Sequence, residues 1–302
     1  MKKRGFIMMG VAAIAAAGVL AGCGGNGGNN TATTTAGGST VAPSEATAQS
    51  VAKMAYESME NVKSYSFDGD TKMNYSMSAS GMDMSMNVDM NIEGEGILDT
   101  HEAHVLMDLD MQWLGQDMSS KNEAYAVQED GKYTVYSKSE GTGADEGWQK
   151  SEDDTTTIEF ENLNNMNVYK QIADGQIEAE LSEGEKVNGK DVYKLTCKIP
   201  GEIFQETYAA MGQDSSSGMA GVDFSQATAD CDLYIYKDSG LPARTFMDAK
   251  EYSENIFKQA MSQSGSTTDA SVTVENFEVD MIMDDYNKID KIEVPADVKN
   301  AV

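Results

Sequence analysis

Residues 82–92 read Met82-Asp-Met-Ser-Met-Asn-Val-Asp-Met-Asn-Ile92, with an apolar side chain at every even position and Asp, Ser or Asn between. A period of two belongs to a strand, whose successive side chains point to opposite faces. An α-helix would bring its apolar residues back every three or four positions instead. The stretch therefore predicts a long strand with one greasy and one wet side. Both flanks repeat it. Upstream, the odd positions are Tyr65, Phe67, Gly69, Thr71, Met73, Tyr75, Met77 and Ala79, and Ser80-Gly81 supplies a turn. Downstream, past Glu93-Gly94-Glu95-Gly96, the odd positions Ala103, Val105, Met107, Leu109, Met111 and Trp113 alternate with mostly polar ones. Three such strands in succession predict an antiparallel sheet with a single apolar face.

Around this core the pattern changes character. Val51, Met54, Ala55, Ser58, Met59 and Val62 recur at helical spacing just before the first strand, predicting a helix. Later strands are expected at 123–128, 132–138, 177–181, 191–199, 231–236, 243–252 and 271–284. Asn188-Gly189 is a two-residue hairpin signal, because both residues tolerate positive φ. A second helix is expected over 202–211, through Ile203, Phe204, Thr207, Tyr208 and Met211. Polar loops follow at 213–221 and 262–270. Long antiparallel strands with few helices predict a mainly β (α+β) domain, one open sheet or half-barrel wrapped around a helix.

The amino terminus speaks of location. Lys2, Lys3 and Arg4 precede a charge-free run from Gly5 to Gly22, the layout of a secretory signal peptide. The run ends Leu20-Ala21-Gly22-Cys23, which resembles the lipobox of bacterial lipoproteins. That resemblance implies cleavage before Cys23, a diacylglycerol on its thiol, and acylation (palmitate, for instance) of the freed amine. Two or more acyl chains hold a protein stably on a bilayer. Residues 23–50, rich in Gly, Thr, Ser and Asn, cannot bury enough surface to order themselves, so they are expected to form a tether of about 25–30 Å. The chain thus divides into a signal peptide (1–22), a lipidated tether (23–50) and one domain (51–302), displayed outside the cytoplasm at the cell membrane.

Charge narrows the partners. The formal net charge is −28, which becomes −31 once Lys2, Lys3 and Arg4 leave with the signal peptide. Such a surface repels phosphate backbones, so no nucleic-acid partner is expected. A monomer held by its own lipid is.

Several segments in order also resemble a known superfamily. An amphipathic helix leads into SYSFDGDTKMNYSM; VNGKDVYKLTC, DLYIYKDSGLPARTFMD and YNKIDKIEVPADV follow. Together they are similar to the lipoprotein carriers LolA, LolB and the mycobacterial LppX and LprG, and most to uncharacterised lipoproteins of Gram-positive bacteria. Tyr236-Lys237-Asp238-Ser239-Gly240-Leu241-Pro242 matches the superfamily's strand–turn–strand reading most specifically. The resemblance implies a strongly curved antiparallel half-barrel, with an N-terminal helix and one or two lid helices over an apolar cavity. Characterised members carry acyl chains or lipoproteins. This chain departs by its methionine content and its two long Ser/Gly loops.

Catalytic chemistry is sought in vain. The two histidines, in His101-Glu-Ala-His104, do not make HExxH, and on a strand a spacing of three sends the rings to opposite faces. Gly184-Glu-Lys-Val-Asn-Gly189-Lys190 imitates a phosphate loop, but Asp191 stands where Ser or Thr is required. The pairs Asp153-Asp154 and Asp284-Asp285 read as solvated charge. The expectation is a non-enzyme with no cofactor and no catalytic metal. Cys197 and Cys231 share parity with apolar neighbours and belong to the greasy face. A disulfide there would close a loop of about 35 residues and contribute about 3–4 kcal/mol; two buried thiols are the other reading.

The methionines admit three readings. They are ordinary core, or they line a face for apolar ligands, since thioether chains re-pack around varied shapes. Or Met82, Met84, Met86 and Met90 form a Cu(I) site, because thioethers select that soft ion. Alternation that admits Val88 and Ile92 is hydrophobic patterning, which favours the first two. The candidate face is Tyr65, Phe67, Met73, Tyr75, Met77, Met82, Met84, Met86, Met90, Val105, Met107, Leu109, Met111 and Trp113. The expected function is to hold a lipid or other hydrophobic ligand near the membrane, and the alternative is a structural or protein-binding surface module with a filled core.

Overall fold

A computed structural model describes residues 46–79, 82–129, 132–141, 147–153, 168–203, 223–263 and 271–300. The signal peptide, Cys23, nearly all the tether, the helix expected beyond Ile203, the polar loop at 213–221 and residues 264–270 of the other polar loop lie outside the described residues.

Eleven strands form one antiparallel, curved open sheet: β1 (Ser64–Ala79), β2 (Met82–Ile97), β3 (Glu102–Trp113), β4 (Gln116–Glu129), β5 (Lys132–Gly141), β6 (Trp148–Asp153), β7 (Ala179–Glu183), β8 (Val192–Pro200), β9 (Thr228–Tyr236), β10 (Pro242–Asp248) and β11 (Ser271–Asp284). Their spatial order is β6-β5-β4-β3-β2-β1-β11-β10-β9-β8-β7, so the first and last strands pair at the centre and β6 and β7 are the edges. The long alternating strands fall where the sequence puts them, and β11 matches to the residue. Asn188 (φ 48°) and Gly189 (φ 76°) turn the short Val187–Lys190 bridge as expected.

Helix α1 (Ala48–Met59) begins inside the expected tether, because Thr47 caps it. The Thr47 side chain accepts from the Ser50 N–H at 3.1 Å, and the Ser50 hydroxyl accepts from the Thr47 N–H at 2.8 Å, a reciprocal box. Val51, Ala52, Met54 and Ala55 are fully or nearly buried in the same core cluster as Met73, Tyr75, Met86 and Val88, while Met59 joins Tyr65, Phe67 and Met90 in a second one. The N-terminal helix is thus part of the core on the inner side of the sheet.

Among the helices not anticipated are α2 (Val168–Ala173), packed on α1, and α3 (Lys250–Gln263), packed on β11 and β9. The strand expected over 243–252 ends at Asp248, whose carboxylate accepts from the Lys250 N–H at 3.0 Å and starts α3. Tyr252 and Ile256 then enter the main core, and the Phe257 ring lies 5.5 Å from that of Tyr75. A last short helix, α4 (Ala296–Asn300), closes the chain.

The outer face is not uniformly wet. The C-terminal segment crosses it and seats Ile292 and Val298 against Ile97, Tyr125, Val127 and Tyr136. A second outer cluster joins Val187, Val192, Tyr234, Tyr236 and Ala243.

Candidate ligand-binding face

Register aligns the inner side chains in rows across the strands. Tyr75, Met86 and Trp113 form one row; Met73, Val88, Met111 and Met118 the next; then Thr71, Met90, Leu109 and Ser120; then Gly69, Ile92, Met107 and Asn122. Alternation alone made all these residues equivalent, and burial divides them. Tyr65, Phe67, Met73, Tyr75, Met86 and Met90 are buried beneath α1 and its neighbours. They are core. The Tyr75 hydroxyl donates to the Met86 sulfur at 3.4 Å, and burial pushes that phenol above its ordinary range.

Met77, Met84, Val105, Met107, Leu109, Met111 and Trp113 are only half-buried, at the margin of the core. The side chain of Met82 is outside the described set. The cause of the division is helix placement: α1 packs toward β7 and β8, and α3 toward β9 and β11. The inner face of β3 is thus left as a half-open apolar stripe. Val105 to Trp113 is eight steps along the strand, about 27 Å at strand rise.

Sequence reasoning missed what borders that stripe. It began β4 at residue 123, seven residues late, and so overlooked Met118, Ser120 and Asn122 on the inner face. The Asn122 amide donates to the Ser120 hydroxyl at 3.3 Å, and its carbonyl accepts from Ser139 at 2.7 Å. Ser137 sits opposite Ala124 in the same face. The parity of Met118, Ser120, Asn122 and Ala124 was the available signal, muted by its polar residues.

Of the four methionines considered for Cu(I), Met86 and Met90 are not brought together. Met86 and Met90 stand about 13 Å apart along one strand and pack in separate clusters. Cys197 and Cys231 are directly paired, buried and present as free thiols. The Gly201 N–H donates to the Ala227 carbonyl at 2.9 Å, and the Lys237 N–H to the Asp191 carbonyl at 3.0 Å. Alternation between them makes Cys197–Cys231 a hydrogen-bonded pair, whose Cβ atoms stand wider than a disulfide prefers. A hydrogen bond to Cys197, then burial, holds the Cys231 thiol well above its usual range.

On the outer side, Ser66, Asp68, Glu93, Glu95, His104 and Asp284 border a groove of about 590 Å³. His104 is half-buried. Its ring stacks on Tyr125 at 4.1 Å, and its Nε2 lies 3.0 Å from Glu123 Oε1, which also accepts from the Tyr125 hydroxyl at 2.8 Å. Burial first, then Glu123, drives the Tyr125 phenol far above its ordinary range. The histidine meets a carboxylate, not a nucleophile. His101 sits in the preceding turn at φ 55°, its carbonyl accepting from Tyr133 at 2.8 Å. Asp284 accepts from Asn188 at 2.8 Å and Asp285 from Lys288 at 2.8 Å, so that acidic pair is structural.

A DUF1329 family protein from Desulfovibrio piger is 10% identical, covering 83% of this chain and 94% of its own, with a TM-score of 0.23. A beta-barrel-like protein of the domain of unknown function DUF1849, from Brucella abortus, is 10% identical, covering 74% of this chain and 96% of its own, with a TM-score of 0.22. No curated protein matches the chain. A model described as "Family of unknown function (DUF6612)" matches residues 47–302, from the cap of α1 through every strand of the sheet. The chain belongs to that family.

Proposed function

We propose that this protein is a membrane-anchored, extracytoplasmic lipoprotein that binds a lipid or other hydrophobic ligand and catalyses nothing. The observation that carries the reading is the half-open stripe Val105, Met107, Leu109, Met111 and Trp113, continuous with a closed core. Burying a further side chain of that kind is worth about 1.5–3 kcal/mol, so a stripe left half-open is a standing gain for any apolar occupant. Methionine and leucine re-pack around cargo of different shapes. Cys23 would hold the face within reach of the bilayer that supplies it.

The alternative, a surface module with a filled interior, draws on Tyr65, Phe67, Met73, Tyr75, Met86 and Met90, which are packed already. Native mass spectrometry of residues 23–302, with Cys23→Ser and no detergent, separates the two. All described elements lie within 46–300, so the cut leaves them intact. Adducts of several hundred daltons that solvent extracts as lipid are expected; a bare polypeptide mass, unchanged after incubation with lipid vesicles, supports the filled module.

A further inference from the structure

The inner face changes chemistry between β3 and β5 without acquiring charge. Register assigns eighteen positions of β3, β4 and β5 to each side of the sheet. Ten of the outward eighteen are Asp, Glu or Lys, and none of the inward eighteen is. For a buried core that would be ordinary. Here the inward positions are half-buried from Met107 through Asn122 to Ser139, where a charged side chain could keep its head in water. In place of charge stand hydroxyls and an amide: Ser120, Asn122, Ser137 and Ser139, three of them already linked by hydrogen bonds. The nearby cations face outward and are occupied, Lys121 by Asp108 and Lys138 by Glu140.

Resting on the ligand-binding reading, we propose that the ligand is a non-ionic amphiphile with a hydroxyl-rich head. Its tail lies along Val105–Trp113, and its head bonds to the Ser120–Asn122–Ser139 strip. Lengthwise the stripe, about 27 Å, exceeds the reach of one lipid chain, about half of a 30 Å hydrocarbon core. Crosswise, Met107 pairs with Asn122 and Asn122 with Ser139, so tail and head sites are adjacent rungs. The Asn122 amide keeps one N–H and one carbonyl lone pair for a hydroxyl ligand after its two bonds to serine. Among the described inward positions of β3–β5, a phosphate or carboxylate head would lose water without meeting a cation, and an ammonium head without meeting a carboxylate.

The test uses three amphiphiles of equal tail, each below its micelle concentration: dodecyl maltoside, dodecyl sulfate and dodecyltrimethylammonium. Calorimetric titration into the Cys23→Ser chain (residues 23–302) should rank the maltoside first by about tenfold or more. Net charge alone would rank the cation first, so the order discriminates. Asn122→Asp should weaken the maltoside about tenfold and strengthen the cation; Ser139→Ala, a milder change, should weaken the maltoside alone. Equal binding of all three, or an ionic probe binding tightest, overturns the proposal and leaves the ligand reading standing. Binding of none overturns both.

Discussion

One residue holds a strained backbone conformation and another ties stability to pH. Leu114, at the tip of the β3–β4 hairpin, has φ 51° and is the one large hydrophobic side chain that is openly exposed among the described residues, at 57%. Asn or Gly normally occupies that corner: Cβ crowds the following carbonyl there, Gly has none, and the short polar side chain of Asn hydrogen-bonds locally in compensation. Leu114→Asn is expected to raise stability by about 1 kcal/mol in chemical denaturation. Leu114 adjoins Trp113 at the end of the stripe, so the same change should slow uptake of a dodecyl probe in stopped-flow. Tyr236 acts through its proton. It is 1% exposed, its hydroxyl accepts from Asn188 at 3.4 Å, and burial, with Asp284 adding, pushes its phenol up to about 12. An unfolded tyrosine releases its proton near pH 10. Between about 10 and 12 the folded chain therefore holds a proton that the unfolded chain has lost, and stability falls as pH rises, by at most about 1.4 kcal/mol per pH unit from this group. Below pH 10 that contribution is complete. Tyr236→Phe should flatten part of the alkaline slope in pH-resolved urea melts. Tyr133, pushed up to about 12 by burial and then Glu102, supplies a further part.

At the scale of elements, the C-terminal segment is a strap over the outer face. Asn287 is pinned at both ends: its side chain accepts from the Lys63 N–H at 2.6 Å, and its own N–H donates to the Ser64 carbonyl at 2.8 Å. The Ser64 hydroxyl accepts from the Ile289 N–H at 3.1 Å, and Lys299 pairs with Glu129. Ile292→Ala should cost about 2 kcal/mol, the low end for a small cluster at a sheet margin. In a Trp113→Phe background, Trp148 emission should then shift red at lower urea than the far-ultraviolet signal is lost, reporting release of the strap before the sheet. The sequence made some elements plain and others not. Strands β1, β2, β3 and β11 were legible because one face is apolar throughout. Helix α3 was not, because the strand Pro242–Asp248 runs almost directly into it and Tyr252 continues the strand's apolar tone into a helix with few large apolar residues. Nor was the strap's landing site, since Ala124-Tyr125-Ala126-Val127 is apolar at both parities, which alternation cannot assign to a face.

For the whole molecule, the candidate site was half legible. The residues of the inner face were readable in advance, but which of them stay open was not, because that depends on where α1 and α3 lie against the sheet. Strand order carries a consequence of another kind. Nine of the ten strand pairings join neighbours in the chain; β1 with β11 is the exception, and Ser66 meets Asp284 roughly two hundred residues away. Hairpins close in microseconds, whereas a loop of that length must be closed against a large entropy before it gains a contact. The molecule is therefore two meanders, each able to zip locally, that become one sheet only when the first and last strands find each other. Cutting the chain between residues 153 and 168 and joining Asn300 to Ala46 through a glycine-rich linker would make β11 and β1 successive. Such a permutant should reach the same sheet markedly sooner in stopped-flow refolding. Equal rates would mean that the central seam is not the slow step, and that the native chain's speed is set within one of its two halves.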